Sequence, residues 1–149
     1  MTTTPDPSFA GRTYPAGAVH EVSSAKIAEF ARATGATSPL HLDPEAARAA
    51  GHAGVVAPPT FLVSLAQATE AQYIEDPASG IDFTRVVHGE EGFTLERPVV
   101  AGDRLVPTLT VESVRAAGGH AMVTTRVDMT DEAGAPVASV RSMLVVRGD

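Results

Sequence analysis

The sequence predicts an α+β protein, a single domain in which a curved antiparallel β-sheet wraps around one long central helix. The helix is predicted because residues 55–69 contain no charged residue, and the second half of this stretch is apolar on almost every side. The sheet is predicted because the hydrophobic period changes to two in the second half of the chain. Helices followed by a run of antiparallel strands are typical of the α+β class.

The central helix is expected to begin at Pro58 and Pro59, because the first turn of a helix tolerates residues that lack an N–H group. The apolar stretch is shorter than the roughly 20 residues that cross a bilayer, so no membrane insertion is expected. The same periodicity also fits an ordinary core helix of an α/β protein, and this alternative stays open.

Composition excludes several classes of function. With 149 residues, of which 44% are hydrophobic, the chain can bury a sizeable core. Its net charge of −7 argues against non-specific nucleic-acid binding, and the lack of cysteine excludes disulfides, thiolate metal sites and a cysteine nucleophile.

The Thr- and Pro-rich residues 1–10 are expected to be flexible and to precede one domain over residues 11–149. This terminus lacks the basic and apolar runs of a signal peptide, so a cytoplasmic protein is expected.

Two shorter helices are predicted before the central one. The first is expected over residues 25–34, since Ser23 or Ser24 is a good N-cap and Gly35 is a natural residue to end it. The second is expected over residues 44–50, where a proline stands at the first helical position.

The strands are bounded by turn residues. Gly118 and Gly119 predict a hairpin turn, and Pro107 predicts an edge or a bend near the start of its strand. The expected strands cover residues 18–22, 93–97, 105–114, 121–129 and 137–146.

Two segments could carry chemistry. His41 follows Pro39 and Leu40 in the loop before the second helix, and a histidine there could act as a general base. The alternative, which a lone histidine favours, is that it caps a backbone carbonyl. His88, Glu90 and Glu91 cluster just before the first clear strand, where a solvated loop with a charged tip is the alternative. No metal-binding or nucleotide-binding motif occurs, so no metal and no cofactor are expected.

At the first of these segments the chain resembles a known family. Residues 35–43 read Gly-Ala-Thr-Ser-Pro-Leu-His-Leu-Asp and are similar to the Gly-Asp-x-Asn-Pro-Leu-His-x-Asp loop of the MaoC-like, R-specific enoyl hydratase/dehydratase family. The similarity continues at residues 51–58, 88–91 and 97–103, and it covers about residues 9–147. Within the family the chain most resembles the FAS1-like dehydratase branch, in particular the A- and C-type subunits of actinobacterial (3R)-hydroxyacyl-ACP dehydratases.

The resemblance implies a hot-dog fold and a reaction. That reaction is syn-elimination of water from a (3R)-3-hydroxyacyl thioester, or the reverse hydration, by an Asp and a His around one water. A backbone N–H at the start of the central helix would hold the thioester carbonyl. Carried onto this sequence, the resemblance makes His41 the catalytic residue. The implied substrate-binding residues are Ser38, Ala57, Pro59, Thr60, Phe61, His88 and Gly89.

This sequence departs from the family pattern at the reacting centre. Ala36 replaces the expected Asp, and Ser38 replaces the Asn. Pro58 and Pro59 replace the His-Gly pair at the helix start, so the usual backbone donor is missing. We therefore expect a substrate-binding, non-catalytic subunit that works beside a catalytic MaoC-like chain in fatty-acid metabolism.

Two alternatives stay open. The chain could be a self-sufficient hydratase/dehydratase that uses His41 with a neighbour such as Asp43 or Glu90, or a non-enzymatic protein that binds acyl thioesters. A hot-dog thioesterase is less favoured, because the first charged residue after Pro59 is Glu70.

The expected partners are acyl-ACP or acyl-CoA and a second hot-dog chain, in a homodimer or a heterodimer. An acidic carrier protein would need a local basic patch on this acidic chain. Arg85, Arg97 and Arg104 are the candidates for that patch.

Overall fold

Five antiparallel strands curl around one long helix in the computed structural model, which describes residues 4–148. The sheet has the order β1-β3-β4-β5-β2. This architecture confirms the predicted α+β hot-dog fold. The helices are α1 (Ser24–Thr34), α2 (Pro44–Ala49) and α3 (Val63–Ile74), and the strands are β1 (His20–Glu21), β2 (Val86–Leu95), β3 (Arg104–Ala117), β4 (His120–Thr130) and β5 (Pro136–Val146).

Local sequence signals set the boundaries of the two short helices. The Ser23 hydroxyl accepts a hydrogen bond from the Lys26 N–H at 3.1 Å, and α1 ends at Gly35 in the left-handed conformation, at φ 72°. Asp43 caps α2 by accepting from the Glu45 N–H at 2.9 Å. These caps lie where the sequence predicts them, because capping depends on residues close in the chain.

The central helix α3 begins later than the two prolines predict. Residues 59–62 form turns, in which the Phe61 N–H donates to the Pro58 carbonyl at 2.9 Å and the Val63 N–H donates to the Thr60 carbonyl at 3.1 Å. These bonds span three residues, as in a tight turn, so regular α-helix starts only at Val63. The predicted start near Pro58 is therefore wrong by one helical turn.

Strand β2 is longer than predicted, since it includes residues 86–91 that an alternative interpretation assigned to a loop. The pairing of β2 with β5 shifts between His88 and Glu90, which is a β-bulge at Gly89. A bulge inserts one extra residue and breaks the period of two, so the hydrophobic pattern does not reveal the strand here. Within the described chain, the other edge of β2 has no pairing strand.

The core lies between α3 and the concave face of the sheet, and it extends to the N-terminal segment. Phe9 is only 2% exposed, and its ring packs on the buried Tyr73 of α3 with the centroids 5.6 Å apart. The Arg12 guanidinium lies 3.7 Å above the Phe9 ring. Phe9 thus belongs to the folded core, although it falls in the segment predicted to be flexible; residues 1–3 of that segment lie outside the described residues. In residues 4–148, no helix is long and apolar enough to cross a membrane.

Candidate functional site

His41 sits at the end of a short 3₁₀ turn, Pro39–His41, that is fixed by its own sequence. The Ser38 hydroxyl accepts from the Leu40 N–H at 3.3 Å, and the His41 N–H donates to the Ser38 carbonyl at 3.1 Å. The expected substrate-binding residue Ser38 therefore holds the loop that presents His41.

The imidazole of His41 is oriented by the backbone that leads into α3. Its Nδ1 lies 2.6 Å from the Val56 carbonyl oxygen. Because a carbonyl oxygen only accepts, Nδ1 carries the hydrogen, and in the neutral ring Nε2 keeps its lone pair. His41 thus caps a carbonyl, as one of the two interpretations of the sequence predicts. The same contact leaves Nε2 able to take a proton, so the other interpretation, a general base, also stays open.

A cavity of about 430 Å³ adjoins His41 and is called the His41 pocket here. It lies between the segment before α3 and the end of β2, and its walls are mostly apolar. It brings together three of the predicted site residues, namely His41, Ala57 and Pro59. Its full lining is His41, Val56, Ala57, Pro58, Pro59, Leu62, Leu95, Glu96, Arg97, Pro98 and Val99.

The proposed replacements for the missing acid are engaged elsewhere. Asp43 caps α2 through its Oδ1, and Glu90 lies on the outer face of the sheet, in a pocket with Arg115 and Arg141. Glu96 is the carboxylate that lines the His41 pocket. Position 36 carries only a methyl group, and no group of three or more His, Asp or Glu residues within residues 4–148 could hold a metal ion.

The three candidate arginines are ion-paired. Arg97, on the rim of the His41 pocket, makes a bidentate pair with Asp103 at 2.8 and 3.0 Å, and hydrogen bonding to that carboxylate raises the pKa of Arg97. Arg104 pairs with Glu132 and with Glu21, and Arg85 lies 3.7 Å from Asp82. Partner carboxylates therefore reduce the positive field of the predicted basic patch.

Thr60 and Phe61 are not part of the His41 pocket. Thr60 is exposed in the turn before α3. Phe61 is buried and packs edge-to-face on Phe30, with ring centroids 5.6 Å apart. It lines a separate cavity of about 390 Å³ between α1 and α3, together with Leu65 and Ser64.

His88 and Gly89 lie at the bulge of β2, away from His41. His88 pairs with the buried Leu144 and lines a third cavity, of about 570 Å³, against the second half of α3. A Cβ at Gly89 would lie 2.8 Å from the Cε of Met143, so a side chain there requires the flexible end of Met143 to shift. Within this single chain, the predicted substrate-binding residues therefore divide among separate surfaces.

A buried polar row, which the hydrophobic pattern does not predict, crosses the concave face of the sheet. Glu91 pairs with Ser142, and Ser142 pairs with Thr125, so three adjacent strands present polar side chains on one line. Glu70 of α3 points onto this row, where the Thr125 hydroxyl donates to its Oε1 at 2.6 Å. The name polar row is used below for Glu70, Thr125, Ser142 and Glu91.

A signal for the polar row is present in the sequence. Glu70 follows Ala66 by four residues and precedes Tyr73 by three, so helical periodicity places it on the buried face. It is 0% exposed, and a fully buried glutamate is unusual enough to mark a site.

Glu91 makes a testable contribution to the pH dependence of stability. Burial is the main cause that raises its pKa, and the charge of Glu70 adds to this, whereas Ser142 and His88 lower it. In the pH range between its ordinary value of 4.5 and its raised pKa, the folded chain binds more protons than the unfolded one. The free energy of unfolding therefore falls as the pH rises through this range.

Replacing this carboxyl group by an amide, Glu91→Gln, should remove that decline. Urea unfolding at a series of pH values across the glutamate titration range measures the effect. Glu90→Gln is the matched control, since Glu90 is the neighbouring residue on the opposite face of β2. Equal pH profiles for the wild type and Glu91→Gln would contradict the assignment.

Known proteins resemble the chain over most of its length. A family described as "FAS1-like, dehydratase domain region" matches residues 8–140. A UPF0336 protein of Clavibacter michiganensis is 58% identical over 144 residues, which are 97% of each chain.

Two solved structures are similar in fold and sequence. A chain of the C-terminally truncated HadBC (3R-hydroxyacyl-ACP dehydratase) complex from Mycobacterium tuberculosis is 29% identical, with a TM-score of 0.83 over 92% of this chain and 96% of that one. A MaoC-like dehydratase is 31% identical, with a TM-score of 0.87 over 95% of this chain, and this chain spans 43% of its length.

Proposed function

Because the chain belongs to the FAS1-like branch of the MaoC-like hot-dog dehydratase family, we propose that it is the substrate-binding, non-catalytic subunit of a heteromeric (3R)-3-hydroxyacyl-thioester dehydratase. The observation that carries the proposal is the incomplete His41 pocket. It keeps an oriented imidazole, but Ala36 supplies no carboxylate and Pro58 and Pro59 supply no N–H.

The chemistry explains why this pocket needs a partner. Dehydration requires a base for the α-proton, an acid for the departing hydroxyl, and a donor for the negative charge that develops on the thioester oxygen. Loss of one such donor alone costs about 10²–10³ in rate. His41 supplies one of these three groups, so the catalytic MaoC-like partner has to bring the complete set.

The edge of β2 is the surface proposed for this partner. Three of the large hydrophobic side chains exposed in residues 4–148 lie on or next to it: Phe83 is 66% exposed, Val87 49% and Leu95 40%. A long open edge with apolar side chains readily pairs with a strand of another chain. A second copy of this chain could pair at the edge of β2. For activity, the proposal requires a different hot-dog chain there.

The proposed substrate is an acyl thioester of a carrier protein or of coenzyme A. The apolar walls of the His41 pocket, including Val56, Leu62 and Val99, suit an acyl chain. Elimination of water transfers no electrons, so the reaction requires no redox cofactor. We propose that the protein acts in the cytoplasm, in fatty-acid metabolism.

The test is hydration of a trans-2-enoyl thioester, followed by the loss of enoyl absorbance. The chain alone should show no turnover above background. Turnover should appear when a catalytic MaoC-like chain is added, and it should vanish when the catalytic histidine of that partner is replaced. Turnover by the chain alone, lost in His41→Ala, would contradict the proposal.

That contrary result defines the second candidate, a self-sufficient hydratase. It is favoured by one observation, the contact that holds His41 Nδ1 and leaves Nε2 available as a base. The third candidate, a non-enzymatic acyl-thioester-binding protein, requires that the thioester bind without turnover even beside catalytic partners.

A further inference from the structure

The cavity of about 570 Å³ beside His88 is distinct from the His41 pocket and is called the Glu70 pocket here. It lies between the second half of α3 and the bulged end of β2. Its size is within the range of small-molecule sites. Its lining is Gln67, Glu70, Ala71, Ile74, Glu75, Phe83 and His88.

Glu70 is the unusual residue of this pocket. It is 0% exposed, and one of its carboxylate oxygens accepts from the Thr125 hydroxyl at 2.6 Å. The other oxygen, Oε2, is buried and has no hydrogen-bond partner within residues 4–148. A buried acceptor without a partner is costly, so such a group in a folded protein calls for an explanation.

The polar row behind Glu70 has the same property. Both carboxylate oxygens of Glu91 and the hydroxyl of the fully buried Ser142 also lack a hydrogen-bond partner among the described residues. Three of these four unpartnered atoms are carboxylate oxygens, which accept hydrogen bonds when ionised. The Ser142 hydroxyl lies beside Glu91 and can donate to it, which leaves Glu70 Oε2 as the acceptor without a donor among residues 4–148.

We propose that the Glu70 pocket binds an apolar chain that ends in a hydrogen-bond donor, an ammonium or a hydroxyl group, and that the unpartnered Oε2 of Glu70 holds this donor. Ala71 and Ile74 offer apolar wall for the chain. The two lining carboxylates, Glu70 and Glu75, attract positive charge.

Other ligand chemistries fit this pocket poorly. A plain alkyl chain would leave the Oε2 of Glu70 unpaired, and a ligand ending in a carboxylate would meet like charge. The inference goes beyond the proposed function, because it concerns a different pocket and the chemical group that this pocket selects.

The experiment is calorimetric titration of the full chain with three probes of equal chain length: octylammonium, 1-octanol and octanoate. We expect octylammonium or 1-octanol to bind at least about tenfold more tightly than octanoate, since a hydrogen bond to a charged group supplies that much. Amide NMR should locate the binding at Ala71 and Thr125.

The variants test this contact. Glu70→Gln should weaken binding of the preferred donor probe by about tenfold. Glu90→Gln makes the same charge change on the outer face of β2 and should leave the affinity unchanged. Ala71→Leu, which fills part of the pocket, should weaken binding of all three probes and keeps the test valid if Glu70→Gln fails to fold.

Each outcome has a defined meaning. Tighter binding of octylammonium identifies an amine as the ligand class, and tighter binding of 1-octanol identifies a hydroxylated chain. Octanoate binding as tightly as the donors, binding of none of the probes, or affinities unchanged in both Glu70→Gln and Ala71→Leu would overturn the inference. These measurements record binding rather than turnover, so their failure would leave the proposed function intact.

Discussion

The double substitution Ala36→Asp with Pro59→Gly is expected to give the isolated chain hydratase activity of its own. Asp at position 36 supplies the carboxyl group of the family pattern, and Gly at position 59 supplies a backbone N–H where proline has none. A positioned acid or base contributes about 10²–10⁴ in rate, and an oxyanion donor about 10²–10³. Together they should raise the rate by at least roughly 10⁴ over the wild type.

The structure accommodates both changes. Pro59 is exposed in the turn before α3, and the Pro58 carbonyl, not that of Pro59, accepts the Phe61 N–H. Ala36 lies just after α1, with its N–H bonded to the Ala31 carbonyl at 2.8 Å. His41 needs no change, because its Nε2 is already available.

Hydration of a trans-2-enoyl thioester by the chain alone measures this gain. Each single substitution should give a smaller increase than the pair, and His41→Ala in the double variant should abolish the activity. Thr37→Asp is the matched control, because it places the same charge one residue further along an exposed loop. A folded double variant no more active than this control would show that positions 36 and 59 do not act on the reaction.

Phe9→Ala is expected to lower the free energy of unfolding by about 3–5 kcal/mol, the cost of emptying a buried aromatic site. The Phe9 ring is 2% exposed and contacts Tyr73 and the Arg12 guanidinium. Without the Phe9 ring, the N-terminal segment would no longer pack against the end of α3. A loss this large is a substantial share of the roughly 5–15 kcal/mol by which a typical protein is stable.

Urea unfolding measures this change, and Tyr73→Phe is its control. The Tyr73 hydroxyl is buried without a hydrogen-bond partner in the described chain, and burial raises its pKa to about 12. Removing that hydroxyl should therefore leave stability unchanged or increase it. If Phe9→Ala costs no more than Tyr73→Phe, the N-terminal segment does not contribute to the core.

The features predicted best are those that depend on nearby residues. The caps Ser23 and Asp43, the end of α1 at Gly35 and the hairpin at Gly118 and Gly119 follow from local backbone preferences, and the structure has them in place. The hydrophobic pattern predicts the start of α3 and the N-terminal part of β2 wrongly. In both places a local irregularity, a run of tight turns or a bulge, hides the regular period.

The site was predictable only in part, for a related reason. His41 stands out because its loop has a recognisable pattern, and the structure adds the contact with Val56 that orients it. The polar row could not be read from the sequence as a unit. Ser142 and Thr125 become neighbours of Glu91 only through strand pairing, which joins positions far apart in the chain.

The position of β5 in the sheet has a consequence for synthesis on the ribosome. β5 follows the other four strands in the chain but lies between β4 and β2 in the sheet, and Val86 of β2 pairs with Val146 of β5. Until β5 emerges, β2 lacks its pairing partner among the described strands, and the hydrophobic surface of α3 lacks part of its cover. Pairing between strands far apart in the chain slows folding, and apolar surface stays exposed until the pairing forms. Nascent chains that end before Pro136 are therefore expected to depend on chaperones.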